Sequence, residues 1–354
     1  MQDIKNWQWL AVLALILLYP LSSPAVEWKG NNWNANLNGA LRASFNMDDI
    51  GTETEANTSN KYLSGNVSHV QLTGSRTLKM GINGIFKTEW GLDPTDNGGE
   101  DRLTLYDMDQ YLGIEGGFGI LRVGTMLTPY METGIMMDPY RRDALAARFF
   151  PEIQSALHTG TGKGRGRTTN SIRFDSPSAR GAAAQFFYGI DQSDDNDNSF
   201  GTGLTFDSQY MSLFGQWYDN GESGKDEAWK LGGELKGGGA SLFGQYEYDD
   251  GLISLAENLA PEDDTVDANT TYGADVWHVG LKYTNGKVLF IGQYGERKDS
   301  KNGAVEKDGL TGWLVGLSIY LDKTFYFYTG YTEKDYNNER KNDSRFTLGG
   351  TLTF

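Results

Sequence analysis

Few residues in this sequence have the spacing of a catalytic or metal-binding site. The chain has no cysteine and three histidines, His69, His158 and His278, which do not show the spacing of metal ligands. Ser155 lies near His158, but no acidic residue follows the pattern that would orient the two as a hydrolase triad. We therefore expect neither enzymatic activity nor a metal or other cofactor.

Charged side chains are concentrated in one segment of the chain, residues 128–175. Its bases are Arg141, Arg142, Arg148, Lys163, Arg165, Arg167 and Arg173, and its acids are Glu132, Asp138, Asp143, Glu152 and Asp175. The segment carries a local charge of +2 in a chain whose net charge is −16. Acids that face bases across water would create a field that orients dipolar solutes without covalent chemistry. Such a field requires a scaffold that holds the two sets of charges apart.

The N-terminus has the features of a secretory signal peptide. Lys5 precedes an apolar run from Leu10 to Leu18, and small residues stand before a cleavage position after Ala25. Because the run is short for a bilayer, residues 1–25 are predicted to be removed, with an uncleaved anchor helix as the alternative. No later segment approaches 18 consecutive apolar residues, and the strong acidity argues against nucleic-acid binding.

The remainder of the chain, residues 26–354, has the pattern of strands with two different faces. In the last predicted strand, Phe346, Leu348 and Phe354 alternate with threonines and a glycine. Eight long polar loops alternate with seven short turns along the chain, and these connections require sixteen strands. Short turns on one side and long loops on the other are typical of bacterial outer-membrane barrels. We therefore predict an all-β fold, a 16-stranded antiparallel transmembrane β-barrel.

Three segments carry a resemblance to a known family. The segment Thr169–Pro177 (TNSIRFDSP) resembles the sixth strand and following turn of the general trimeric porins of Gram-negative Proteobacteria, and 111–124 is similar to their fourth and fifth strands. Phe354 matches the terminal aromatic residue that the barrel-assembly machinery reads in that family. The resemblance implies a homotrimer of sixteen-stranded barrels, each with a pore narrowed by an inward-folded third loop.

The third loop (residues 128–166) is accordingly expected to fold inward and form the pore constriction. Its sequence favours a short helix, because Asp138 can cap it, Pro139 can take the first position and Arg141–Phe149 can continue it. Apolar residues of the loop favour packing against the barrel wall. An extracellular flap that packs on neighbouring loops is the alternative.

At the constriction, acids of the third loop are expected to face bases of the wall across water, so that the pore stays open. The acids are Glu132, Asp138, Asp143 and Glu152, and the loop also carries the bases Arg141, Arg142, Arg148, Lys163 and Arg165. Strand alternation directs the wall bases Arg42, Lys87, Arg167 and Arg173 towards the lumen. The basic run Lys163–Arg167 could be an anion or phosphate site, or a solvated hinge.

The ion preference depends on which charges lie nearest to the permeating ion. Residues 191–199 and 249–275 hold −12 of the net charge and favour cations at the outer rim, whereas the constriction favours anions. A weak cation preference is expected, because the imbalance in the loops is larger.

The sequence therefore predicts an exported protein of the outer membrane that passes small hydrophilic solutes and ions by diffusion. Its expected partners are outer-membrane lipid and lipopolysaccharide, where divalent cations can bridge the acidic loops to phosphates. Acidic loops that are simply solvated are the alternative. A substrate-selective channel for an anion, phosphate or a sugar is one alternative. A structural or adhesive barrel with a plugged lumen is the other.

Overall fold

The computed structural model describes most of residues 26–354. The described residues are 26–51, 58–95, 105–155, 166–190, 198–221, 227–250, 273–301, 307–338 and 341–354. The predicted signal peptide, Lys163, Arg165 and most of the two acidic stretches lie outside these ranges.

The described residues are almost entirely β-strand. The strands are β1 (Val26–Lys29), β2 (Trp33–Ile50), β3 (Thr58–Ser64), β4 (Ser68–Thr77), β5 (Asn83–Leu92), β6 (Leu105–Gly116), β7 (Gly119–Leu127), β8 (Arg167–Asp175), β9 (Ala182–Gly189), β10 (Ser199–Asp207), β11 (Met211–Asp219), β12 (Glu227–Gly237), β13 (Ala240–Asp249), β14 (Val276–Asn285), β15 (Val288–Arg297), β16 (Leu310–Tyr320), β17 (Phe325–Tyr336) and β18 (Asp343–Thr353). A helix, α1 (Pro129–Met137), follows β7. No helix in the described ranges is long and apolar enough to cross a membrane.

The strands form a closed ring in which neighbours along the chain pair antiparallel. β18 pairs with β2 and closes the ring. β3 pairs with the second half of β2 and β4 pairs with the first half, so β3 and β4 together form one wall strand that is interrupted at residues 65–67. β1 pairs with β2 beyond the end of β18 and adds no strand to the circumference. The wall therefore has sixteen strands, which confirms the predicted barrel.

The two faces of each strand meet different surroundings. In β18, Leu348 is 53% exposed and Phe346 is also exposed, whereas Thr347 between them is fully buried. In β2, Leu41 and Phe45 are exposed in the same way. A barrel wall in a bilayer presents apolar residues to lipid and polar residues to the lumen, which accounts for this alternation.

The short helix of the third loop is not where the sequence predicted it. α1 begins at Pro129, and the hydroxyl of Thr128 caps it by accepting a hydrogen bond from Met131 N at 3.1 Å. The predicted helix at 141–149 was wrong, because that segment forms successive turns. Asp138 accepts hydrogen bonds from the amides of Tyr140 and Ala147, and Arg141 has a φ of 45°, which a right-handed helix does not allow.

Candidate permeation site

The third loop lies inside the barrel against β15–β17, where the wall offers glycines instead of side chains. A Cβ atom added at Gly330 would lie 2.6 Å from Leu145 Cδ1, and one added at Gly312 would lie 2.8 Å from Ile153 Cγ2. Leu145 and Ile153 are completely buried. The absence of side chains at these wall positions lets the loop approach the backbone of the strands closely.

A valine at Gly330 is expected to destabilise the barrel and narrow the pore, because its side chain would displace Leu145 from the wall. Overpacking of this kind costs about 1–3 kcal/mol. The melting temperature and the single-channel conductance should both fall. Gly292→Val in β15 is the matched control, since a Cβ atom added at Gly292 would meet no atom within 4 Å. An unchanged conductance in Gly330→Val would show that the loop does not depend on this contact.

Asp143 joins the third loop to three wall strands. Its carboxylate lies 3.3 Å from Arg42 Nε of β2, accepts a hydrogen bond from the Tyr326 hydroxyl of β17 at 2.8 Å and accepts another from the Thr351 hydroxyl of β18 at 3.1 Å. Burial raises the pKa of Asp143 to about 6, although the charge of Arg42 acts in the opposite direction. The carboxylate therefore fixes the loop near the seam where the barrel closes.

Asp138 organises the interior of the loop and is fully buried. One carboxylate oxygen accepts a hydrogen bond from Tyr140 N at 2.9 Å, and the other accepts one from Ala147 N at 2.7 Å. Arg148 lies 3.8 Å from the same carboxylate and above the ring of Phe149. Burial raises the pKa of Asp138 and lowers the pKa of Arg148 to about 10. These two side chains fold the loop and do not face the opening.

Glu152 and Glu132 form ion pairs with bases of the wall. Glu152 lies 2.5 Å from Lys334 Nζ and 3.4 Å from Arg297 of the wall. Glu132, in the first turn of α1, forms a hydrogen-bonded ion pair with Arg173 of β8. Direct ion pairs therefore hold the loop to the wall near its start and at Glu152.

A chain of alternating charges continues across β5, β6 and β8. Arg142 of the loop donates to Glu89 at 2.8 Å, and Lys87 lies 2.7 Å from Glu89 and 3.0 Å from Asp109. Arg167 donates to the other oxygen of Asp109 at 2.8 Å. The wall base Arg167 is thus matched by an acid of the wall itself.

The expected separation of charges by water was wrong for most of the predicted pairs. The loop acids Glu132, Asp143 and Glu152 touch wall bases directly, because the loop packs against the wall instead of standing across the lumen from it. Their main role in this geometry is to hold the loop in place.

A polar opening lies between the third loop and the wall formed by β2 and β4–β8. It has a volume of about 410 Å³. Its lining is Arg42, His69, Gln71, Lys87, Glu89, Asp109, Tyr111, Arg122, Met126, Leu127, Glu132, Ile135, Met136, Arg141, Arg142 and Arg173. The predicted residues Asp138, Asp143, Glu152, Arg148 and Arg167 are absent from this lining.

Arg122, Ile135 and Met136 are among the lining residues that the sequence did not predict. Arg122 of β7 lies 3.1 Å from Asp175 and above the ring of Tyr111. Its lumen orientation was readable from alternation, because Val123 beside it is exposed on the outer face. Ile135 and Met136 were missed because the helix was placed ten residues too late in the loop.

The closed polar-lined barrel with an inward loop defines an outer-membrane channel, and the comparisons with known proteins agree. An anion-selective porin from Comamonas acidovorans matches with a TM-score of 0.72 and 16% identity over 91% of this chain and 100% of that one. OmpF of Salmonella typhi, solved with daunomycin, matches with a TM-score of 0.67 and 14% identity over 93% and 100% of the two chains. At these identities the likeness concerns the fold.

The sequence comparisons give the family. The Gram-negative porin family model matches residues 11–351, so the chain belongs to that family. A chitoporin from Vibrio furnissii is 28% identical over 157 residues, which cover 42% of this chain and 39% of that protein. This chain therefore matches well under half of the length of that curated relative. The protein is a channel of the outer membrane and not an enzyme.

Proposed function

We propose that this porin is a diffusion channel that prefers small anions. The observation that carries the proposal is the charge of the opening, where six bases stand against three acids. The bases are Arg42, Lys87, Arg122, Arg141, Arg142 and Arg173, and the acids are Glu89, Asp109 and Glu132. A positive lining raises the local concentration of anions and lowers that of cations.

This proposal departs from the weak cation preference inferred from the acidic loops. Charges are screened over about 8 Å at physiological ionic strength, so the bases that line the opening should outweigh acids at the rim. Most residues of the two acidic stretches lie outside the described ranges. The anion selectivity stated for the Comamonas acidovorans porin, whose fold this chain shares, is consistent with the proposal.

The test is the reversal potential of the channel in a planar bilayer under a gradient of KCl. A chloride permeability greater than that of potassium is expected. Arg141→Gln should lower the ratio roughly twofold, the size expected for one exposed charge near the ion path. Lys323→Gln, at an exposed turn between β16 and β17, is the matched control and should leave the ratio unchanged. A potassium preference in the unaltered protein would overturn the proposal.

A substrate-selective sugar channel is the second candidate, because a chitoporin matches part of the chain. Sugar channels use aromatic faces as stacking platforms, and the described lining of the opening includes one aromatic residue, Tyr111. The geometry therefore favours the anion channel. Block of the current by a chito-oligosaccharide at low concentration would favour the sugar channel instead.

The partners expected from the sequence belong to the same proposal. We propose a homotrimer, as in the structure of Vibrio cholerae OmpT that is described as a trimer form, and conductance should then rise in steps of three. Phe354 exchanges backbone hydrogen bonds with Gly39 at 2.9 and 3.1 Å where the ring closes, and we propose that the assembly machinery recognises this terminal residue. Residues 1–25 are proposed to be removed on export, so the mature chain should begin at Val26. Lipopolysaccharide and lipid remain the proposed surroundings.

A further inference from the structure

We propose that the opening favours organic anions with an apolar body over equally charged hydrophilic anions. The charged group of the solute would contact Arg141, and its apolar part would contact Met136 and Ile135. The inference rests on the proposed anion preference and adds a class of solute to it.

The apolar side of the opening is formed by the part of α1 that does not pack against the wall. Met136 is 66% exposed, although it lies in the lumen and not on the outer face of the wall. Ile135 beside it is half-buried and lines the same opening. The other face of the helix, including Tyr130 and Met131, is buried against the wall. A flexible thioether that no neighbour covers can adapt to apolar groups of different shape.

Arg141 supplies the charged partner at this edge. It is exposed, lines the opening five residues after Met136, and forms no ion pair with any residue in the described ranges. The five other bases of the lining each lie within ion-pair distance of a carboxylate. The charge of Arg141 is therefore the one that a permeating anion meets with the least competition.

The backbone of Arg141 adds a second observation. Its φ of 45° lies in the left-handed region, which a residue with a β-carbon adopts at a cost of about 1 kcal/mol or more. The hydrogen bond from Arg141 N to Asp138 O at 3.2 Å holds this conformation. Strained residues of this kind cluster at binding sites, and here the strain accompanies an uncovered guanidinium.

An apolar edge beside an unpaired cation discriminates by hydration. A hydrophilic anion must keep its water while passing Met136, and the thioether offers that water no hydrogen bond in return. An anion with an alkyl chain loses poorly bound water at the same place and gains contact with Met136 and Ile135. Both anions meet the same charge, so the difference between them reports the apolar contact.

Hexanoate and gluconate are a suitable pair, because each has six carbons and one carboxylate. Their permeabilities relative to chloride are measured from reversal potentials at pH 8, where both are ionised, and protein-free bilayers correct for leakage of hexanoate. Hexanoate is expected to be the more permeant beyond the ratio of the free mobilities. Met136→Gln should lower the hexanoate-to-gluconate ratio about three- to fourfold, as for about one methylene group left in water.

Met80→Gln is the matched control, since Met80 is 94% exposed in the turn between β4 and β5 and does not line the opening. The chloride-to-potassium ratio should be the same in both variants, which checks that the pore is intact. An unchanged hexanoate-to-gluconate ratio in Met136→Gln, with anion preference retained, would overturn this inference alone. The same fall in Met80→Gln would also overturn it. Loss of anion preference in the unaltered protein would instead overturn the proposed function.

Discussion

Lowering the pH through about 6 is expected to increase the chloride-to-potassium permeability ratio of this channel. Asp143, whose pKa burial raises to about 6, becomes neutral in that range. Arg42 then loses its partner at 3.3 Å, and its charge faces the opening uncompensated. One additional positive charge near the ion path should raise the ratio roughly twofold. The measurement is the reversal potential in a KCl gradient at several pH values between 4.5 and 8, chosen to bracket the titration.

Asp143→Asn should remove this step, because asparagine cannot titrate. The variant should show the low-pH selectivity of the unaltered protein at every pH. Asp322→Asn, in the exposed turn between β16 and β17, should keep the step, because Asp322 does not line the opening. A step that persists in Asp143→Asn would show that a group other than Asp143 causes it.

The same titration has a defined effect on stability. The pKa of Asp143 is about 6 in the folded protein and near its ordinary value of 3.8 in the unfolded chain, so the folded state binds the proton more tightly. The contribution of Asp143 to the free energy of unfolding is therefore largest below pH 3.8 and decreases as the pH rises through 6. The difference in melting temperature between the unaltered protein and Asp143→Asn should change with pH in that window.

Asp138→Ala is expected to produce the largest loss of stability. The substitution leaves the amides of Tyr140 and Ala147 without their acceptor, and it leaves the buried guanidinium of Arg148 without a carboxylate nearby. Removing one partner of a buried charge typically costs about 3–5 kcal/mol. The third loop should unfold locally before the barrel does, because its turns are built around this carboxylate.

Limited digestion with trypsin reports that local unfolding. Arg148 is 6% exposed and should resist cleavage in the unaltered protein, whereas Asp138→Ala should be cut after it. Asp138→Asn keeps one acceptor oxygen and should be cut more slowly. Asp322→Ala removes an exposed acid that accepts hydrogen bonds within its own turn, and it serves as the control. Equal resistance of Asp138→Ala and the control would contradict the role given to Asp138.

Sequence reasoning recovered the barrel because its signal is local. Phe346 and Leu348 alternate with Thr347 in the sequence. Because successive side chains of a strand point to opposite faces, this alternation predicts the outer and the inner face of the wall. The alternation of long loops and short turns then fixed the number of strands. The interruption of the second wall strand between β3 and β4 leaves that number unchanged, since both pieces pair with β2.

The structure of the third loop was predicted less accurately, because it depends on contacts with residues that are distant in sequence. Asp138 has the sequence signature of a helix cap and binds the amide of Tyr140 as a cap would, but its other oxygen binds the amide of Ala147 and no helix follows. The cap signal that the structure uses, Thr128 followed by Pro129, was equally visible and lies at the start of the loop. Propensity alone does not choose between two such signals when wall contacts decide the outcome.

The orientation of the wall bases was predictable from the sequence, but their ion-pair partners were not. Alternation placed Arg42, Lys87 and Arg173 in the lumen, where they line the opening. Their partners were not predictable, because Asp143 meets Arg42 only after a loop and a wall strand pack together across about a hundred residues of sequence. Only the packing of the loop against the wall determines whether a charged side chain in the lumen has an ion-pair partner.

The closure of the ring has a consequence for how the chain reaches its native state. Thr347 of β18 donates to Asn46 of β2 across 301 residues, so the last strand pair brings together segments from opposite ends of the wall. Contacts of such high sequence separation form slowly. Until they form, β2 and β18 each present an unpaired edge that can add strands from another chain. The closed ring leaves neither β2 nor β18 as an unpaired edge. Before β18 pairs with β2, however, β2 must be shielded from strands of other unfolded copies.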